Sequence, residues 1–140
     1  MPNQKDSNSV YFLEADSFSE KPTIGFGIIL DVKTERRKFT VQVYHDDYRN
    51  FSYDDWETIV FETHEQAQAL IDRLPKKGER VYRVDKVAKK MIFDTVECYV
   101  MPYIHFKSGA KARVEEIDKS YYASKERAFS VLDRVKKTGK

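Results

Sequence analysis

Cysteine occurs once in the 140 residues, at Cys98, which excludes an intrachain disulfide and a cysteine-rich zinc site. Glycine is scarce, with five residues, and forms neither GxxxxGK[ST] nor GxGxxG, so no phosphate-cradling loop is expected. No apolar run approaches the roughly 20 residues of a membrane span. Residues 1–9 are polar and lack the apolar core of a signal peptide, which predicts an intracellular, cytoplasmic protein without membrane contact. Aromatic residues are plentiful: nine Tyr, nine Phe and one Trp, too many for a disordered chain. With 41% apolar residues, the length suits one domain with a real core.

Charge is split along the chain. Residues 1–75 hold 8 Lys/Arg against 14 Asp/Glu, a net −6, and residues 76–140 hold 17 against 9, a net +8. An acidic half and a basic half folded as neighbours would carry a strong dipole.

Residues 1–9 read as a disordered tail and 10–140 as a single domain. Short β-rich segments fill the first half, at 10–15, 23–32 and 39–44. In the last of these, Phe39, Val41 and Val43 alternate with Thr40, Gln42 and Tyr44, the period of a half-buried strand. Gly25 and Gly27 inside the second segment suggest a bulge or a close backbone approach. Residues 45–56 have no clean period and read as a loop, with a short strand at 57–62. Thr63 can cap a helix whose Ala67, Leu70, Ile71 and Leu74 form an apolar face. The second half follows the same order: strands at 80–85 and 91–101, a looser segment at 102–111, a further strand within 112–123, and a helix capped by Ser124.

The two helical segments, THEQAQALIDRLPKKG at 63–78 and SKERAFSVLDRVKKTG at 124–139, are identical at six of 16 positions. The hairpins upstream echo each other as Asp31…Phe39 and Asp85…Phe93. These parallels predict an internal duplication of a β-hairpin–strand–helix unit, with halves near 23–78 and 79–139. The expected fold is α+β, a two-layer sandwich with one mainly antiparallel sheet of six or seven strands and both helices on one face.

Catalytic signatures are incomplete. His64-Glu65 begins like HExxH, but residue 68 is Gln, so the second zinc-binding imidazole is missing. Ser108 and Lys111 have SxxK spacing without its companion motifs. Cys98 lies mid-strand with no local base and reads as a packed thiol. No enzyme activity, metal or cofactor is therefore expected.

Two candidate binding sets remain. Lys76, Lys77, Arg80, Arg83, Lys86, Lys89 and Lys90, interleaved with Tyr82, together with Arg134 and Lys137 of the last helix, could meet nucleic-acid phosphates. Asp46, Asp47, Tyr48, Tyr53, Asp54, Asp55 and Trp56 form an acidic aromatic segment suited to a basic protein surface. The expected function is a small non-enzymatic intracellular binding protein acting on nucleic acid or a nucleoprotein. One alternative is a protein-only inhibitor of a host nuclease, of mobile-element or phage type, using the acidic segment as a DNA mimic. Another is a small metal-dependent hydrolase using the same carboxylates.

Overall fold

The computed structural model describes residues 8–16, 18–44 and 47–138; the candidate Asp46 and most of the expected tail lie outside them. Two compact units make up the described chain. Unit 1 takes residues up to Glu14 and Pro22–Asp72, and unit 2 takes Ala15–Lys21 and the chain from Arg73 onward.

Unit 1 is a meander of β1 (Ser9–Glu14), β2 (Thr23–Lys33), β3 (Lys38–Tyr44) and β4 (Asp47–Ser52), with β5 (Val60–Phe61) returning to the free edge of β1. All its ladders are antiparallel. The alternation of the strands buries Val10, Phe12, Ile29, Phe39 and Val41. Gly27 sits where the backbone passes close to this core: a Cβ there would lie 2.3 Å from Val41 Cγ1 and 2.7 Å from the Gln42 carbonyl oxygen. The bulge suggested by the glycines falls later, between Ile29 and Asp31. Helix α1 (His64–Arg73) follows β5.

Unit 2 repeats the order with β6 (Arg80–Asp85), β7 (Lys90–Val100), β8 (Tyr103–Phe106) and β9 (Lys111–Arg113) in one antiparallel sheet. Its fifth element is a bridge: the Tyr82 N–H donates to Tyr122 O and the Tyr122 N–H donates to Tyr82 O, both at 2.8 Å. Helix α2 (Lys125–Thr138) packs against β6 and β7. Val81, Val96, Tyr99, Ile104, Phe106, Val114, Ile117 and Tyr121 are buried. Burial raises the pKa of the Tyr99 and Tyr121 hydroxyls well above the ordinary tyrosine value. Each hydroxyl has a carbonyl to bond, Pro75 O for Tyr99 and Val114 O at 2.9 Å for Tyr121.

Each unit leads into its helix by the same turn. Trp56 bridges Val60, and Ile117 bridges Tyr121, both in parallel sense. Between them Glu57 and Asp118 take left-handed φ values of 65° and 66°. Their N–H groups donate to Val60 O at 2.7 Å and Tyr121 O at 2.8 Å. The caps match as well: Thr63 Oγ1 accepts from the Gln66 N–H and Ser124 Oγ from the Arg127 N–H. Leu70, Ile71 and Leu132 are buried, as their helical spacing predicts, while Val131 is half-buried.

The α+β class holds, with two helices and antiparallel strands among the described residues, but these strands form a five-stranded and a four-stranded sheet instead of one sheet of six or seven. Segment 45–56 is no loop in its described part. It holds β4 and a 3-10 turn at Tyr53–Asp55, whose N-cap Ser52 N–H donates to Asp55 Oδ2 at 2.9 Å. Its mixed polar and aromatic pattern hides the period because β4 is an edge strand that buries none of its six side chains fully. The strands expected at 57–62 and 112–123 shrink to β5 and β9, since the shared turn takes the intervening residues. The looser segment 102–111 contains β8. Each half of the expected hairpin echo spans an antiparallel hairpin: Asp31 and Phe39 lie on β2 and β3, and Asp85 and Phe93 lie on β6 and β7.

Candidate nucleic-acid interface

The sheet of unit 2 has a buried face and a wetter one, and the ladder register sorts the side chains between them. Paired residues share a face, and neighbours along a strand alternate. Arg80 pairs with Thr95 and Tyr82 with Phe93. Past the bulge between Val96 and Cys98, Cys98 pairs with His105 and Val100 with Tyr103. His105 in turn pairs with Lys111, and Tyr103 with Arg113. Lys107 continues the alternation of Tyr103 and His105. Its N–H donates to Thr95 O at 2.9 Å, which sets it beside the Arg80–Thr95 row.

This face therefore interleaves rings and cations. Phe93 is 54% exposed, an unusual state for a phenylalanine in a strand. Arg80 lies over its ring with 5.7 Å from Cζ to the centroid, and Tyr82 meets it edge-on at 5.7 Å. Across the sheet, Lys111 Nζ stands 4.3 Å from the Tyr103 centroid and Arg113 Cζ 5.9 Å from it. Arg113 also binds Glu115 at 2.7 Å, so its charge is partly neutralised. Arg80, Lys107 and Lys111 are exposed.

The opposite face explains why Arg83 does not join them. Three residues from Arg80, it points to the other side of β6. There it pairs with the Asp94 carboxylate at 3.1 Å and lies 5.7 Å from the Phe106 centroid. Asp94 is only 7% exposed. Burial alone would raise its pKa. Hydrogen bonds from Ser108 Oγ at 2.5 Å, from the Thr95 and Ser108 N–H groups, and the Arg83 charge together outweigh burial and hold it below the ordinary value. The cluster pins the β8–β9 turn, so Arg83 is a structural cation. Strand alternation divides what a linear count of basic residues had joined.

The other predicted cations are placed as follows. Lys76 and Lys77 are exposed in the segment after α1, where the Lys76 N–H donates to Glu79 Oε1. Lys86 and Lys89 occupy the β6–β7 turn and Lys90 opens β7. Arg134 and Lys137 are exposed on α2. The turn and helix residues thus form groups of their own, apart from the ring-and-cation rows.

The acidic aromatic set is dispersed. Asp47, at the start of β4, pairs with Arg49 at 2.5 Å. Asp54 and Asp55 sit beyond the far end of the same strand, six residues or about 20 Å of extended chain away. Asp55 caps the 3-10 turn. Trp56 is 8% exposed, with its indole edge-on to Phe39 at 6.2 Å. Tyr53 carries Arg37 over its ring at 5.3 Å, and its hydroxyl is buried. Tyr48 alone of the described rings in the set is broadly exposed. Among the described residues no three His, Cys, Asp or Glu side chains converge on a point where a metal could bind.

Sequence reasoning missed Phe93, Tyr103, His105, Lys107, Lys111 and Arg113 as site candidates. A signal was present: Tyr103-Ile104-His105-Phe106-Lys107 alternates buried apolar residues with ring or cationic ones, a strand pattern whose second face is turned from the core. Among the described residues, no helix is long and apolar enough to cross a membrane. Neither a protein-family model, nor a curated protein, nor a solved structure matches this chain.

Proposed function

We propose that this is a small non-enzymatic binding protein whose unit 2 meets nucleic acid, alone or within a nucleoprotein. The observation that carries the reading is the outer face of β6–β9, where Arg80, Lys107 and Lys111 stand exposed among Phe93, His105 and Tyr103. Cations supply the phosphate attraction and rings supply surface for bases. Lys86, Lys89 and Lys90 extend the positive field around the β6–β7 turn. The acidic segment takes no part in this reading, because its carboxylates are scattered and partly engaged and its indole belongs to the core. We further infer that the two units descend from one duplicated unit, supported by the shared bridge, left-handed turn and cap, each 61 residues apart.

A binding titration tests the function. Mixed-sequence DNA and RNA should bind at low salt, and affinity should fall as salt rises. Arg80→Glu, Lys107→Glu and Lys111→Glu together should weaken binding at least about tenfold and reduce the salt slope by about 2, as expected for three lost phosphate contacts. Binding unchanged by the triple variant, or absent at low salt, would refute the reading.

A further inference from the structure

We infer that the nucleic acid taken by this face is single-stranded, an inference that rests on the reading above and adds the strandedness. A duplex hides the flat surfaces of its bases. It is read by an element that enters a groove, a helix or a two-stranded ribbon, with side chains reaching base edges. The candidate face offers instead a sheet surface with rings among its outward side chains. Phe93 leaves more than half of its surface in water. Tyr103 and His105 are half-buried on the same face, with their sides flanked by Lys111 and Arg113. Unstacked bases can pair with such rings whatever their sequence, because every base has a π-face.

Spacing and charge agree with this assignment. From Phe93 to Val100, the partner of Tyr103, β7 runs seven residues, about 23 Å of extended strand. That track suits several nucleotides, near the small end of the 4–16 typical of single-strand sites on small β domains. The cations stand beside the rings: Arg80 and Lys107 share the row after Phe93, and Lys111 shares the row of His105. A strand laid along β7 would set bases against rings and phosphates against the neighbouring cations. Two carboxylates border the track. Glu97 is exposed at the bulge, and Glu115 is held by Arg113. Neither lies in the rows that carry Arg80, Lys107 and Lys111.

The test is fluorescence anisotropy on the full chain with labelled oligo-dT and oligo-U of about 12 nucleotides and a duplex of equal length, at about 50 and 200 mM salt. Both single strands should bind at least about tenfold tighter than the duplex. Phe93→Leu keeps apolar bulk and removes the ring. It should weaken single-strand binding about 5- to 100-fold, with the salt slope unchanged, as expected for one lost stacking contact. Tyr103→Leu should act in the same direction. Thermal unfolding of both variants at the wild-type temperature would establish that the ring, and not the fold, was lost. Equal or tighter duplex binding, or single-strand binding unaffected by Phe93→Leu in a folded protein, would overturn the single-strand inference and leave the nucleic-acid reading standing. No binding to any of the three oligonucleotides at low salt would overturn both.

Discussion

Tyr11 faces Phe26 across β1 and β2, and Tyr82 faces Phe93 across β6 and β7. Both pairs are in ring contact, at 5.1 and 5.7 Å, and Phe26 and Phe93 are about equally exposed. A bulge follows at the same place on each long strand, three to five residues after the phenylalanine. The surroundings differ. In unit 1 the neighbouring row is Ser9, Ile28, Gln42 and Tyr48, without charge. In unit 2 it is Arg80, Thr95 and Lys107, followed by His105 with Lys111. The period of two makes this difference possible. Core positions hold the ladder, so the other face is free to change chemistry without disturbing the fold. An uncharged row has nothing to neutralise a phosphate, and on the proposed reading only unit 2 binds nucleic acid through its sheet.

The comparison breaks most visibly in the cores. Trp56 and Ile117 hold the same place before the helix turn, and both are buried. Trp56→Ala should cost about 4 kcal/mol and Ile117→Ala about 3 kcal/mol in urea unfolding. A near-neutral result for either would show that the shared turn is not a shared support. Leu70→Ala and Leu132→Ala probe the two helices in the same manner, each with an expected loss of about 3 kcal/mol.

Asp94 sharpens the contrast, because the matching register position in unit 1 is Gly27, which has no room for a side chain. Asp94→Asn should cost about 2 kcal/mol near neutral pH by weakening the bonds to Arg83 and Ser108. The folded pKa lies below the unfolded value, so the stabilisation is fully present above about pH 4 and is lost as pH falls through the folded pKa. The stability difference between wild type and variant should therefore be smaller at pH 3 than at pH 7. A constant difference between them would remove the charge from the explanation.

The smallest effects belong to the caps. Thr63→Ala and Ser124→Ala should each cost about 1 kcal/mol, by the loss of one hydrogen bond to a helix N-terminus. A marked inequality would mean that one cap is replaced by its neighbours, such as Gln66, whose side chain accepts from the Thr63 N–H.

Much of the helical part was legible in the sequence. Thr63 and Ser124 announce their helices by capping chemistry, and Leu70, Ile71 and Leu132 by spacing. Sheet organisation was less so, because strand partners are set by long-range packing that a local pattern does not encode. The likeness between the two units was readable only where no loop intervenes. Equivalent residues stand 71 apart at Tyr11 and Tyr82, 67 apart at Phe26 and Phe93, and 61 apart from Trp56 and Ile117 onward. These offsets differ because the loops differ in length, so a fixed-offset reading does not follow the likeness through the hairpins. The candidate site suffered from the same blindness. Arg80 and Arg83 are close in sequence and on opposite faces, whereas Phe93 and Lys111 are far apart in sequence and share one.

On the proposed reading, the outer sheet face of unit 2 holds nucleic acid and that of unit 1 does not. Backbone amide shifts followed by NMR during titration with a short oligo-dT test it directly. Perturbed amides should cluster at 80–82, 93–100, 103–107 and 111–113, while 9–13, 24–30, 40–44 and 47–50 stay in place. Shifts concentrated on β1–β4, or spread evenly over both units, would contradict it.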